Sequence, residues 1–178
     1  MKLFIIFVIF SFLLFSLWAK AEKYTEKYTE ISFNKKSKDV AAVLNLLHAA
    51  ASKADAKAYF NLFDEDANFI GTDVDEYWSL EEFKSYTIPY FNKGKGWTYV
   101  PRNREIKFSN SGKVAWFHEV LDNKSYGTTR GTGVLVLTNN KKWLISQYHL
   151  TIPIPNYLAA DMANKIKIYE DKTTEGAH

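Results

Sequence analysis

RGTGVLVLTNNKKWLISQYHL, residues Arg130 to Leu150, places two β-rich runs on either side of a polar centre. Each run alternates with period two, the pattern of strands with one covered face. Asn139 and Asn140 tolerate positive φ, so the spacing predicts a hairpin closed by a two-residue turn. Directly opposed residues share a face of the sheet. Val136 then meets Trp143, Val134 meets Ile145, Thr132 meets Gln147 and Arg130 meets His149. That face is apolar near the turn and polar at the far end.

The preceding hairpin extends the patch. With Asp122 to Ser125 as its loop, Leu121 pairs with Tyr126, Glu119 with Thr128 and Phe117 with Arg130. Glu119 then lies diagonal to Arg130, within reach of long side chains. The expected cluster is Arg130, His149, Glu119, Thr132 and Gln147. A solvated cross-strand ion pair would use the same residue types. A slip of one residue would send Glu119 away and bring His118 to this face.

Working outward, four strands are expected at about 97–109, 113–122, 126–138 and 141–152, joined by short turns as an antiparallel meander. Helices precede them. Val40, Val43, Leu44, Leu47 and Ala51 recur at helical spacing over 39–52, and a short helix from Asp55 buries Tyr59, Leu62 and Phe63 before the acidic Asp64-Glu65-Asp66. Ala67 to Thr72 reads as a short strand. In WSLEEF, Ser79 and Glu82 make a capping box, with Trp78 and Phe83 at the two staple positions. The helix that follows buries Phe83, Tyr86, Tyr90 and Phe91, is kinked or shortened by Pro89, and is stopped by Gly94 and Gly96. A C-terminal helix over 156–169 would run through Leu158, Met162, Ile166 and Tyr169. Helices followed by a run of strands imply an α+β fold, with helices on one face of an antiparallel sheet.

The first 21 residues have a different character. Met1-Lys2 is a positive start, Leu3 to Trp18 is apolar apart from two serines, and Ala19-Lys20-Ala21 is a small-x-small cleavage box. This is the layout of a secretory signal peptide, and the apolar run is shorter than a membrane span requires. The expectation is a secreted or periplasmic protein with no stable membrane insertion after cleavage. Residues 22–38 repeat KYTE and read as a polar linker, 39–155 as the domain, and 156–178 as a helix and tail.

The chain carries a net charge of +3, and losing Lys2 and Lys20 brings it close to neutrality, which offers no electrostatic reason to bind nucleic acid. It has no cysteine, which excludes disulfides, thiolate metal sites and lipoprotein acylation. A domain of this size is held by its core. The four histidines show no ligand spacing, so no metal and no cofactor is expected. GKG at 94–96 is too short for a phosphate loop, and the glycines of RGTGV mark a bend or close packing within a strand.

Three stretches resemble a known family: AKAYFNLFDEDANFIGTDVDEYWSLEEFKSYTIPYF, VAWFHEVLD and RGTGVLVLTNNKKWLISQYHLTIPIPN. Together they resemble the SnoaL-like branch of the nuclear transport factor 2-like superfamily, which includes ketosteroid isomerase, over about 39–155. The resemblance implies a curved antiparallel sheet wrapped around N-terminal helices, a cone with a central pocket, often as a homodimer. Members are isomerases, cyclases, dehydratases or non-catalytic association domains, so chemistry does not follow from the fold. Asp66, Asp73 and Glu119 are carboxylates in plausible regions.

The leading expectation is an exported domain that binds a small, partly apolar molecule, such as an organic acid. Arg130, Thr132 and Gln147 would supply polar contacts and Trp78, Tyr90, Trp97 and Trp143 the wall. The alternatives are an acid–base enzyme acting beside a carbonyl through Glu119 or His149, and an association module with a vestigial cavity.

Overall fold

The computed structural model describes the backbone of residues 2–175 and the side chains of Trp18, 20–25, Lys27 and 32–172. The elements run α1 (Lys2–Ser52), α2 (Ala56–Phe60), β1 (Phe63–Ile70), β2 (Tyr77–Ser79), α3 (Leu80–Phe91), β3 (Val100–Phe108), β4 (Val114–Asn123), β5 (Gly127–Leu137), β6 (Trp143–Thr151), a 3-10 turn (Asn156–Leu158) and α4 (Ala159–Glu175). Most of the expected cleavage segment's side chains lie outside the described residues. Among the described residues, no helix is long and apolar enough to cross a membrane.

The six strands form one curved, unclosed sheet in the order β2-β1-β6-β5-β4-β3. The meander from β3 to β6 is antiparallel throughout, as its short polar turns predict. One pair, β1 with β6, is parallel. The sheet covers the apolar stripe of α1. Val40, Leu44, Leu47 and Ala51 are almost fully buried there. The valine and the two leucines each contribute about 1.5–3 kcal/mol by leaving water.

Helix α3 begins where its sequence says it should. Ser79 Oγ accepts from Glu82 N at 3.4 Å, and Glu82 Oε2 accepts from Ser79 N at 2.8 Å, closing the capping box. Trp78 and Phe83 staple the entry, their rings 5.8 Å apart and nearly parallel. The helix ends at Phe91, and Gly94 takes a φ of 67°.

Several expectations need correcting. Residues 22–38 are not a linker apart from the fold but part of the continuous helix α1, and Phe33 packs edge-on against Phe108 at 5.2 Å. The acidic Asp64-Glu65-Asp66 belongs to β1 rather than to the end of a helix. The C-terminal helix is present as α4 and runs on past Tyr169; its Met162, Ile166 and Tyr169 are exposed.

The hairpin of the opening stretch is built differently from the two-residue turn. Leu137 pairs with Trp143, and Thr138 N donates to Lys142 O at 2.9 Å, leaving Asn139, Asn140 and Lys141 in the loop. Lys141, not an asparagine, takes positive φ, at 60°. Three loop residues shift the register by one, which exchanges the two faces near the turn. A bulge between Val134/Gln147 and Leu135/Ile145 then shifts it again. Beyond that bulge Thr132 meets His149 and Arg130 meets Thr151. In the preceding hairpin Asn123 pairs with Gly127 and Glu119 with Gly131. Glu119 therefore shares its face with Gly131 and Gly133, while His118 shares the opposite face with Thr132.

Candidate functional site

The alternation of burial decides which face is which. Ala115, Phe117, Glu119 and Leu121 of β4 point inward, as do Leu135 of β5 and Trp143, Ile145, Tyr148 and Leu150 of β6. Arg130 and Gln147 are exposed, and Thr132 and His149 half-buried, on the outer face. Arg130 and His149 do share a face, two residues out of the expected register, but it is the wrong one for the cavity. The predicted polar patch is thus divided by the sheet: Glu119 inside, Arg130, Thr132, Gln147 and His149 outside. The reason is the register between β4 and β5, where Glu119 pairs with Gly131 rather than Thr128; the loop and bulge of the second hairpin together shift β6 by two residues, which leaves Arg130 and His149 on one face.

Glu119 is completely buried. Its Oε1 lies 2.7 Å from His48 Nε2 and accepts a longer bond, 3.4 Å, from the Tyr148 hydroxyl. Its Oε2 accepts from Arg104 Nε at 2.7 Å; Arg104 Nη2 is 2.6 Å away but not aligned to donate. Arg104 Nη1 donates to Asn45 Oδ1 at 2.8 Å and to Ala41 O at 3.2 Å. Ala41, Asn45 and His48 stand at i, i+4 and i+7, one face of α1. A single helix face thus meets two neighbouring strands through one buried carboxylate.

The charge state follows from these partners. Burial alone would push the Glu119 carboxyl up. The hydrogen bond and charge of His48, joined by those of the Arg104 guanidinium, outweigh burial and hold it below the ordinary carboxylate range. An ionised carboxylate only accepts hydrogen bonds, so His48 Nε2 carries the hydrogen in this contact. Burial, and next the Glu119 charge, raise the Tyr148 hydroxyl well above its ordinary value.

His48 and Tyr148 both border a cavity of roughly 220 Å³. Its floor is apolar, from Leu47, Ala51, Tyr59, Phe69, Phe83 and Leu150, all buried. Its rim carries Gly71, Thr72, Glu76, Trp78, Tyr86, Trp97, Tyr99 and Tyr126. Rings stack along one wall: Tyr86 on Trp78 at 4.9 Å, Trp78 beside Phe83 at 5.8 Å, Phe83 on Phe69 at 3.8 Å and Phe69 beside Tyr148 at 5.6 Å. Trp78 and Trp97 border the cavity. Tyr90 does not: it is largely exposed, beside Tyr86. Trp143 is buried against Phe108 near the turn of the hairpin, away from the cavity lining.

The glycines of RGTGV explain how Glu119 and Tyr148 fit together. A Cβ on Gly131 would sit 2.4 Å from the Tyr148 hydroxyl oxygen and 3.2 Å from Glu119 Cγ. One on Gly133 would sit 2.2 Å from the Gln147 carbonyl oxygen, at the bulge. The sequence reading missed Arg104 and assigned no role to His48. Two polar residues, Asn45 and His48, among the apolar positions of α1 were the available signal.

A curved sheet around a helix-backed apolar cavity with a few polar groups defines a small α+β pocket protein. The chain belongs to the SnoaL-like domain family, whose sequence profile matches residues 40–155. Among solved structures it is similar to a domain of unknown function with a cystatin-like fold from Nostoc punctiforme PCC 73102, at 12% identity over 81% of this chain and 98% of that one, TM-score 0.61. It is also similar to a proposed dehydratase of the NTF2-like family from Streptomyces avermitilis, at 10% identity over 68% and 99% of the two chains, TM-score 0.57. A third is a proposed ketosteroid isomerase from Shewanella frigidimarina NCIMB 400, at 18% identity over 61% and 91%, TM-score 0.50. These likenesses establish the fold. Among curated proteins, none matches the chain.

Proposed function

We propose that this protein binds a small, partly apolar molecule in the cone cavity. What carries the reading is the cavity itself, an aromatic and aliphatic space with His48, Glu76 and tyrosine hydroxyls as its polar groups. A few polar groups in an apolar recess is the usual composition of a ligand site. SnoaL-like folds commonly bind small molecules or act as isomerases and dehydratases. Thermal unfolding of the purified chain against a metabolite library tests the proposal, because a ligand of the folded state raises apparent stability by mass action. Stabilisation by compounds of suitable size supports it; a library with no stabilising compound overturns it.

A second reading is favoured by one contact, the 2.7 Å approach of His48 to Glu119. A carboxylate behind an imidazole fixes its tautomer and supports it as a general base. In this reading His48 removes a proton beside a substrate carbonyl, and Glu119 is a positioning residue rather than the base. His48→Ala would then abolish turnover and spare binding.

The proposal extends to export, supported by the layout of residues 1–21, and to a homodimer. N-terminal sequencing of the exported protein should begin at Glu22, and sedimentation should give twice the mass of one chain. An intact Met1 on membrane-bound protein would overturn the first, and a monomer the second.

A further inference from the structure

The charges around the cavity are arranged unevenly. Among the described residues that line it there is no lysine or arginine, Glu76 is the one carboxylate, and the imidazole of His48 is turned to the buried Glu119. Arg104 is nearby but is spent on the buried Glu119. Glu76 is held in place rather than free to swing. Its Oε2 accepts from Thr72 N at 2.8 Å and from Asp73 N at 3.2 Å, and its backbone oxygen accepts from Gly71 N at 2.8 Å. Its side chain lies directly over Gly71, where a Cβ would meet Oε2 at 2.0 Å. The loop Gly71 to Glu76 therefore fixes one negative charge at the rim.

Aromatic rings share that rim: Trp78, Tyr86, Trp97, Tyr99 and Tyr126. Burial raises the hydroxyls of Tyr86 and Tyr99, Tyr99 to about 12, with Tyr90 beside the first, Tyr126 beside the second and the Glu76 charge adding to both. Those two rings thus stay neutral phenols, with electron-rich faces and no formal charge.

We infer that the cavity selects an organic cation, a protonated amine or quaternary ammonium carried on a small apolar body. This rests on the proposed binding role of the same cavity and names its ligand class. A fixed carboxylate and several aromatic rings around one opening are the two features that recognise such cations, by charge and by the ring quadrupole. A cavity of roughly 220 Å³ exceeds the ~150 Å³ that accommodates benzene, so an aromatic or short aliphatic body fits beneath the charge. The organic acid anticipated from Arg130 is disfavoured, since that guanidinium lies on the other face of the sheet.

The test uses three probes on the full chain: the isosteric pair phenyltrimethylammonium and neutral tert-butylbenzene, and the slightly larger anion 2-methyl-2-phenylpropanoate. Affinities are read by calorimetry. The cation should bind at least about tenfold more tightly than the neutral probe, with the anion weakest. Glu76→Gln, whose amide oxygen can still accept from Thr72 N and Asp73 N, should erase the preference and retain the neutral probe. Tyr126→Leu, at an exposed rim position, should weaken the cation selectively. Equal affinity for cation and neutral probe, or a preference for the anion, overturns the cation assignment while leaving the cavity a binding site. Binding of none of the three overturns both.

Discussion

His48 and Glu119 meet at 2.7 Å from positions 71 residues apart, one on the long helix and one on the second strand of the meander. The contact is fully internal on the carboxylate side, and Arg104 completes it from the neighbouring strand. One carboxylate thus couples α1, β3 and β4, and through Tyr148 it touches β6 as well. Stability and site geometry depend on the same atoms.

Removing that carboxylate should be costly. Glu119→Leu leaves the Arg104 guanidinium buried without its counter-charge, and losing one partner of a buried pair costs about 3–5 kcal/mol. Replacing both, as Arg104→Met with Glu119→Leu, should cost much less than the sum of the single changes. Urea midpoints of the four proteins measure the coupling, and additive losses would show that the pair contributes nothing jointly.

The same group should dominate the acid limb of stability. Its folded pKa is depressed, so the unfolded chain binds the proton first and Glu119 contributes stability above the ordinary glutamate value of 4.5. That contribution falls away as pH drops through the lower, folded value. Urea unfolding between pH 3 and 6 should therefore show a steeper acid loss in the wild type than in Glu119→Gln. Identical slopes would mean other carboxylates govern the transition.

Gly131→Ala should destabilise the protein by about 1–3 kcal/mol, because its methyl enters space held by the Tyr148 hydroxyl. Tyr148→Phe removes that oxygen. In the double variant part of the loss should return, although the ring carbon that carried the oxygen, 3.0 Å from the new Cβ, keeps the site tight. Thermal midpoints of the single and double variants decide it.

Arg130→Ala should leave ligand-induced stabilisation unchanged, since Arg130 is exposed on the sheet face away from the cavity. Thermal-shift titrations with any compound that stabilises the wild type provide the check. A lost response would require the outer face to communicate with the cavity.

Much of the architecture was legible because its signals are local. The capping box of Ser79 and Glu82, the Trp78–Phe83 staple and the antiparallel meander each depend on residues a few positions apart. The register was not. In VLVL every residue is apolar, so the run reads equally well with either set of alternate positions inside. A left-handed Lys141 and a bulge then moved the pairing twice. The partners of Glu119 failed for a related reason. Nothing in the neighbourhood of His48 states which strand the helix will cross, and that distance in sequence is bridged only by the completed sheet.

The stacked wall also gives the protein a reporter of its own. Trp78 and Trp97 border the cavity, whereas Trp143 is sealed in the core and Trp116, on the opposite sheet face, is 44% exposed. An occupant would change the surroundings of the first two indoles and leave Trp116, Trp143 and, on the uncleaved chain, the fifth indole, Trp18, as a constant background. Intrinsic emission should consequently shift on loading without any attached dye, and Trp116→Phe would darken the background while leaving the responding pair in place.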